Sequence, residues 1–128
     1  MKNPDKHKAL ITTVPFAQYN NYPIELLEAN NIKYDINPLG RRLKADELAE
    51  MISEYSILIA GTEQITKDVL NNATKLQLIS RVGIGLDSVN LLIAKKNGVI
   101  VSYTPDAPAP AVGELTIGLM LSTLRHIH

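Results

Sequence analysis

The chain has 128 residues, enough for one ordinary domain with a core, and its 45% hydrophobic content excludes a disordered chain. Thirteen basic and thirteen acidic residues cancel, so there is no electrostatic footprint for a nucleic acid. The absence of cysteine excludes disulfides and thiolate metal sites, and fits a cytoplasmic protein.

The polar, charged start from Met1 to Lys8 does not read as a secretory leader. The first candidate strand is Ala9–Val14, stopped by Pro15. A helix is expected over Pro23–Asn30, where Pro23 suits a first helical position. A second strand, Ile32–Asn37, ends at Pro38-Leu39-Gly40, and Ala45–Ser53 then reads as a helix with Leu48, Met51 and Ile52 on one side. Ser56–Ala60 is a third strand, closed by Gly61. Thr66–Asn71 is a short helix with Thr66 as its N-cap. Leu76–Val82 is a fourth strand, followed by Gly83-Ile84-Gly85. Val89–Asn97 is a helix with Gly98 just beyond its end, and Val99–Tyr103 is a fifth strand.

Five apolar runs separated by helices imply βαβ units and a parallel sheet. Runs such as Ile57-Leu58-Ile59 are apolar throughout, as expected when both faces of a sheet are covered. The expected fold is α/β: a flavodoxin-like, doubly wound, five-stranded parallel sheet followed by a C-terminal connecting helix. The linker-like stretch is Thr104–Pro110. The final segment, Ala111–Ile127, differs from the other helices. Leu115, Ile117, Leu119, Met120, Leu121 and Leu124 point in nearly all directions, and a helix apolar all round needs cover on more than one side. That predicts a further domain, a second subunit, or both. The apolar stretch Val112–Leu124 carries Glu114 and is too short to span a bilayer.

The candidate chemistry lies in two glycine loops. Gly83-Ile84-Gly85-Leu86-Asp87-Ser88 follows a strand and opens a helix, the context of a dinucleotide fingerprint, with Asp106 downstream as a ribose ligand. The match fails because Ser88 replaces the third glycine, Asp106 follows Pro105, and the motif comes after the fourth strand. A plainer reading is anion binding. Exposed N–H groups at the carboxyl end of a strand, a helix N-terminus and the Arg81 fork suit a carboxylate or phosphate; the alternative is a tight turn that binds nothing. The second loop is Gly61-Thr62-Glu63, where Thr62 is a hydrogen-bond donor and Glu63 is either a ligand contact or an exposed loop acid. No catalytic set assembles. The histidines, His7, His126 and His128, lie near the termini and read as exposed tails. No metal-ligand spacing appears. Ser80 and Ser102 lack a nucleophile elbow, and Glu114 reads as a helix-start carboxylate.

The stretch from Leu76-Gln77-Leu78-Ile79-Ser80-Arg81-Val82-Gly83-Ile84-Gly85-Leu86-Asp87-Ser88-Val89-Asn90, then Gly98-Val99-Ile100-Val101, Thr104-Pro105 and Pro110-Ala111-Val112-Gly113-Glu114-Leu115-Thr116-Ile117-Gly118, closely resembles the D-2-hydroxyacid dehydrogenase family. Leu58-Ile59-Ala60-Gly61-Thr62-Glu63-Gln64-Ile65-Thr66 is similar to the preceding family loop. Phosphoglycerate dehydrogenases look most similar. The resemblance implies a substrate-binding domain over residues 1–110 and a connecting helix, 111–128, leading to an NAD-binding Rossmann domain and to catalytic residues that come later. It implies that Val82 and Gly83 present N–H groups to the substrate carboxylate, that Arg81 assists an anionic substrate, and that Ile84 borders the NAD cofactor. It also implies a homodimer through 111–127. Many phosphoglycerate dehydrogenases carry arginine where this chain has Ala60, which weighs against a phosphorylated substrate. Gly113 replaces the usual alanine and Asn90 a common aspartate.

The expected function is the substrate-binding part of an NAD-dependent oxidoreductase acting on a small anionic 2-hydroxy or 2-keto acid, inactive alone. The rivals are a stand-alone anion-binding or regulatory domain and a flavin carrier. Thr12-Thr13-Val14-Pro15-Phe16 after the first strand lacks the small, polar character of a flavin phosphate loop.

Overall fold

The computed structural model describes residues 7–127; the polar start at residues 1–6 and the tail residue His128 lie outside the described residues. The elements follow in chain order as β1 (Lys8–Ile11), α1 (Tyr22–Ala29), β2 (Lys33–Ile36), α2 (Ala45–Met51) continued by a 3₁₀ turn (Ile52–Glu54), β3 (Ile57–Ala60), α3 (Lys67–Asn72), β4 (Leu78–Arg81), α4 (Leu91–Lys96), β5 (Ile100–Tyr103) and α5 (Ala109–Arg125). The five strands form one sheet in the order β2-β1-β3-β4-β5, all parallel. This is the flavodoxin-type order, and its reversal of direction lies between β1 and β3.

Register sorts the side chains into two faces. Leu10, Leu58, Ile79 and Val101 align across β1, β3, β4 and β5. They meet Leu48 and Ile52 from α2 and its extension, Val69 and Leu70 from α3, and Ala94 from α4 in one core. Burying one such leucine or isoleucine contributes about 1.5–3 kcal/mol, so this face supplies most of the driving force. On the other face, Ala9, Ile57, Leu78 and Ile100 align. Ala9 is buried, Ile57 and Leu78 are half-buried, and Ile100 is 68% exposed. The sheet is therefore well covered on one side and progressively open towards β5 on the other. Expecting both faces to be covered was too generous.

The caps explain the element ends. Thr66 Oγ1 accepts from the Val69 amide, and Asn90 Oδ1 accepts from the Ile93 amide. Gly98 follows α4 with φ +72°, a conformation that glycine adopts without penalty. Glu47 closes the loop after β2 by taking both guanidinium nitrogens of Arg41 at 2.9 and 2.6 Å and the Lys44 amide at 2.8 Å. These donors, Arg41 first, hold the Glu47 carboxyl down at about 2.

Most boundaries are shorter than the apolar runs. The first strand stops at Ile11 and the fourth at Arg81, because the ladder ends where the loops diverge. The fourth helix begins at Leu91 rather than Val89. The last helix begins at Ala109, inside the expected linker. Pro108 is its N-cap and Pro110 lies in its first turn, where a missing N–H costs nothing. None of its residues is buried. His7 is no free tail: it is half-buried, with Nδ1 3.5 Å from Ser56 Oγ.

Candidate functional site

Parallel strands end together, so the loops after β1, β3, β4 and β5 gather at one edge. That edge beside the β1–β3 reversal is where open α/β sheets place ligands.

The loop after β3 is built around a carboxylate. Glu63 is 1% exposed, and its Oε1 accepts the Gly61 amide at 3.1 Å and the Thr12 hydroxyl from the end of β1. Thr12 also donates its amide to Ile59 at 2.9 Å, which fixes that hydroxyl beside β3. A Cβ on Gly61 would lie 3.0 Å from Glu63 Oε2 and 3.2 Å from Thr13 Cα, so only glycine fits without displacement. Glu63 is thus neither an exposed loop acid nor a side chain projecting freely into solvent. Thr62, between these fixed points, is exposed, and no described residue bonds its hydroxyl.

The loop after β4 is tied at both ends. Val82 donates to Ala60 O at 2.8 Å, extending the β3–β4 ladder by one residue. Gly83 exchanges bonds with Thr104: its amide donates to Thr104 Oγ1 at 2.9 Å, and the Thr104 amide donates to Gly83 O at 3.1 Å. At the far end, Ile65 donates to Ser88 O at 2.7 Å and Asn90 donates to Ile65 O at 3.0 Å. The resulting Ile65–Val89 bridge joins the two glycine loops. Between these ties, the Ile84 and Gly85 amides donate to no other described residue.

Arg81 lies beneath this loop instead of projecting from it. The residue is 9% exposed and Nη1 donates to Val82 O. Gly83 has φ +143°, and a Cβ there would overlap the guanidinium, with Cζ at 3.0 Å and Nη2 at 3.1 Å. Arg81 Nε is buried without an acceptor among the described residues. No described carboxylate pairs with Arg81; the ion pairs seen are Lys8–Asp35 and Arg41–Glu47. Ser88 Oγ, at the other end of the loop, is also buried and unpartnered.

The sequence-predicted residues therefore meet at one edge, but in altered roles. Arg81, Val82, Gly83 and Ile84 form one loop, and Thr62 belongs to the loop bridged to it. The Val82 amide, expected to face a ligand, is taken by the sheet. The Gly83 amide is held by the Thr104 hydroxyl, and the Ile84 and Gly85 amides have no acceptor among the described residues. The helix expected to open directly behind the loop begins two residues later than expected. α4 starts at Leu91, has six residues, and is capped by Asn90. Two partners escaped the sequence reading, Thr12 and Thr104. The available signal was their position: each follows a strand whose end is level with a glycine loop.

A family model described as the catalytic domain of D-isomer specific 2-hydroxyacid dehydrogenases matches residues 10–125. The chain belongs to this dehydrogenase family. It is 38% identical over 96 residues to a hydroxypyruvate reductase of Thermotoga maritima, covering 74% of this chain and 31% of that protein. It is 41% identical over 87 residues to a D-3-phosphoglycerate dehydrogenase of Methanocaldococcus jannaschii, covering 66% and 16%. The fold is shared with an NAD+-bound 3-phosphoglycerate dehydrogenase of Entamoeba histolytica. The TM-score is 0.80 at 24% identity, covering 91% of this chain and 38% of that one. The chain spans well under half the length of these dehydrogenases.

The described residues do not form a dinucleotide cradle of their own. The turn at Gly83–Gly85 runs into an irregular segment rather than a helix, and Asp106 is exposed in the loop after β5 with φ +60°. The Ile84 side chain on this loop is 53% exposed.

The packing at Gly61 is testable. Gly61→Ala should lower stability by about 1–3 kcal/mol, the usual range for overpacking, read from the urea midpoint. Gly113→Ala, with open space around it, should not lower it. Equal midpoints for Gly61→Ala and the native chain would show that the packing of Gly61 against Glu63 and Thr13 is loose.

Proposed function

We propose that this chain is the substrate-side portion of an enzyme transferring a hydride between NAD and a small anionic 2-hydroxy or 2-keto acid. Residues 1–110 form the substrate-binding part and 111–128 a connecting helix. The nicotinamide supplies the hydride chemistry when bound. This chain orients the acid and supplies no acid or base. Its place is a cytoplasmic one, in keeping with the absence of cysteine and of any described helix long and apolar enough to cross a membrane.

The observation that carries this reading is the set of donors left unpaired at the glycine loop. Among the described residues the Ile84 and Gly85 amides have no acceptor, the Gly83 amide rests on an exchangeable hydroxyl, and the Arg81 cation beneath them has no carboxylate partner. Oriented N–H groups over an unpaired cation form an anion site. A carboxylate there takes the amide bonds, while Thr62 and Ile84 line its sides. Hydroxypyruvate reductase and 3-phosphoglycerate dehydrogenase, the relatives named above, are named for acids of this type.

The loop test is an NMR titration with a 2-hydroxy acid or with sulfate. Shifts should centre on the Gly83, Ile84 and Gly85 amides with millimolar affinity, equivalent to only about 4 kcal/mol. Gly83→Val should abolish them while the sheet stays folded, and Arg81→Ala should weaken them. Shifts elsewhere, or survival of the loop shifts in Gly83→Val, would make the loop a turn alone.

We also propose a homodimer through α5. Leu115, Ile117, Leu119, Met120, Leu121 and Leu124 are all exposed. Thr116, Leu119, Met120, Thr123 and Leu124 line an apolar hollow of about 510 Å³. Exposed apolar area on this scale marks an interaction surface. Light scattering should give twice the 14.1 kDa chain mass, and Leu119→Lys should give a monomer or an aggregate. A well-behaved native monomer at high concentration would refute the dimer.

A further inference from the structure

The charges around the glycine loop narrow the class of acid it accepts. The loop after β1, residues 12–21, carries no charged side chain. The loops after β3, β4 and β5 carry Glu63, Asp87 and Asp106. Arg81 is therefore the one buried cation at this edge among the described residues; Lys67, the first residue of α3, follows the β3 loop and is exposed to solvent. Arg41, Arg42 and Lys44 follow β2 on the far side of β1, and Arg41 is already paired with Glu47.

Glu63 differs from the other two acids in being fixed and buried. The Gly61 amide and the Thr12 hydroxyl hold one oxygen, and no cation pairs with it among the described residues. Its position is tied to the anion loop by short steps. The carboxylate packs on Gly61, which follows Ala60, and Ala60 accepts the amide of Val82. Neighbouring strands lie about 4.8 Å apart, so the carboxylate stands on the order of 10 Å from the glycine turn. That is near the screening length of physiological salt, and a buried charge is screened less than an exposed one.

Taking the glycine loop as the anion site proposed above, we propose that Glu63 makes it selective for acids with one carboxylate and against phosphorylated ones. A single carboxylate is matched by Arg81 and the loop amides. A phosphoryl group brings roughly two further negative charges. Those charges find no second buried cation at this edge among the described residues and face the fixed carboxylate of Glu63. The selectivity then comes from repulsion of the wrong ligand rather than from extra contacts to the right one.

The test compares D-glycerate with 3-phosphoglycerate, which share a carbon skeleton, in an NMR titration of this chain at low salt. D-Glycerate should bind at the Gly83, Ile84 and Gly85 amides at least threefold more tightly. Glu63→Gln preserves the acceptor for Thr12 and Gly61 while removing the charge. It should narrow the gap at least threefold, mainly by improving 3-phosphoglycerate, and added salt should shrink the native gap. Tighter binding of 3-phosphoglycerate at the same amides, or an unchanged gap in folded Glu63→Gln, would overturn the selectivity and leave the anion site standing. If Glu63→Gln fails to fold, the native comparison decides alone. No shift at these amides with either acid would overturn the anion site itself, and the selectivity with it.

Discussion

The arginine beneath a glycine is the constraint on which the carboxyl edge depends. Arg81 ends β4, folds its guanidinium under the following turn and donates to Val82 O. The space it fills is the space a Cβ of Gly83 would occupy. The two residues thus define each other: the turn requires glycine because of its φ and because of the cation packed against it. A buried guanidinium without a carboxylate is expensive, since partial desolvation is not repaid by an ion pair. The positive charge is left without a carboxylate partner among the described residues.

The neighbouring loop applies the opposite charge in the same manner. Glu63 is buried with no cation paired to it among the described residues and instead gathers hydrogen bonds from two strands' ends. One buried cation and one buried anion, each held by neutral partners, stand on adjacent loops joined by the Ile65–Val89 bridge. Direct pairing would neutralise both. Kept apart, they leave a local field across the edge of the sheet, beside the reversal of strand order between β1 and β3.

Much of this was legible in the sequence, and the parts that were not share a cause. Five short apolar runs between helices suffice for a parallel sheet, and Thr66 and Gly98 mark helix ends by local chemistry alone. Strand ends were overextended because apolarity outlasts the ladder: Val82 is apolar yet exposed. The glycine loop stood out by composition, and the family motifs around it by pattern. The roles of its amides depend on register. Arg81 opposite Tyr103 places Thr104 beside Gly83, and Arg81 opposite Ala60 places the Val82 amide on the Ala60 carbonyl. Neither pairing can be read from one strand. The burial of Glu63 was equally hidden, because its partner Thr12 is 51 residues away in the chain. The apolar character of α5 was plain from its residues, whereas the open sheet face near β5 needed the strand order.

The loop after β4 is shaped by the sheet itself, with the amide of Val82 committed to Ala60 O and those of Ile84 and Gly85 without an acceptor among the described residues. Amide hydrogen exchange reads these groups one by one. Val82 should be protected together with the β3–β4 ladder, while Ile84 and Gly85 exchange at least tenfold faster and slow when a 2-hydroxy acid is added in excess. Equal protection of Ile84, Gly85 and Val82 without ligand, or free exchange at Val82, would contradict the account.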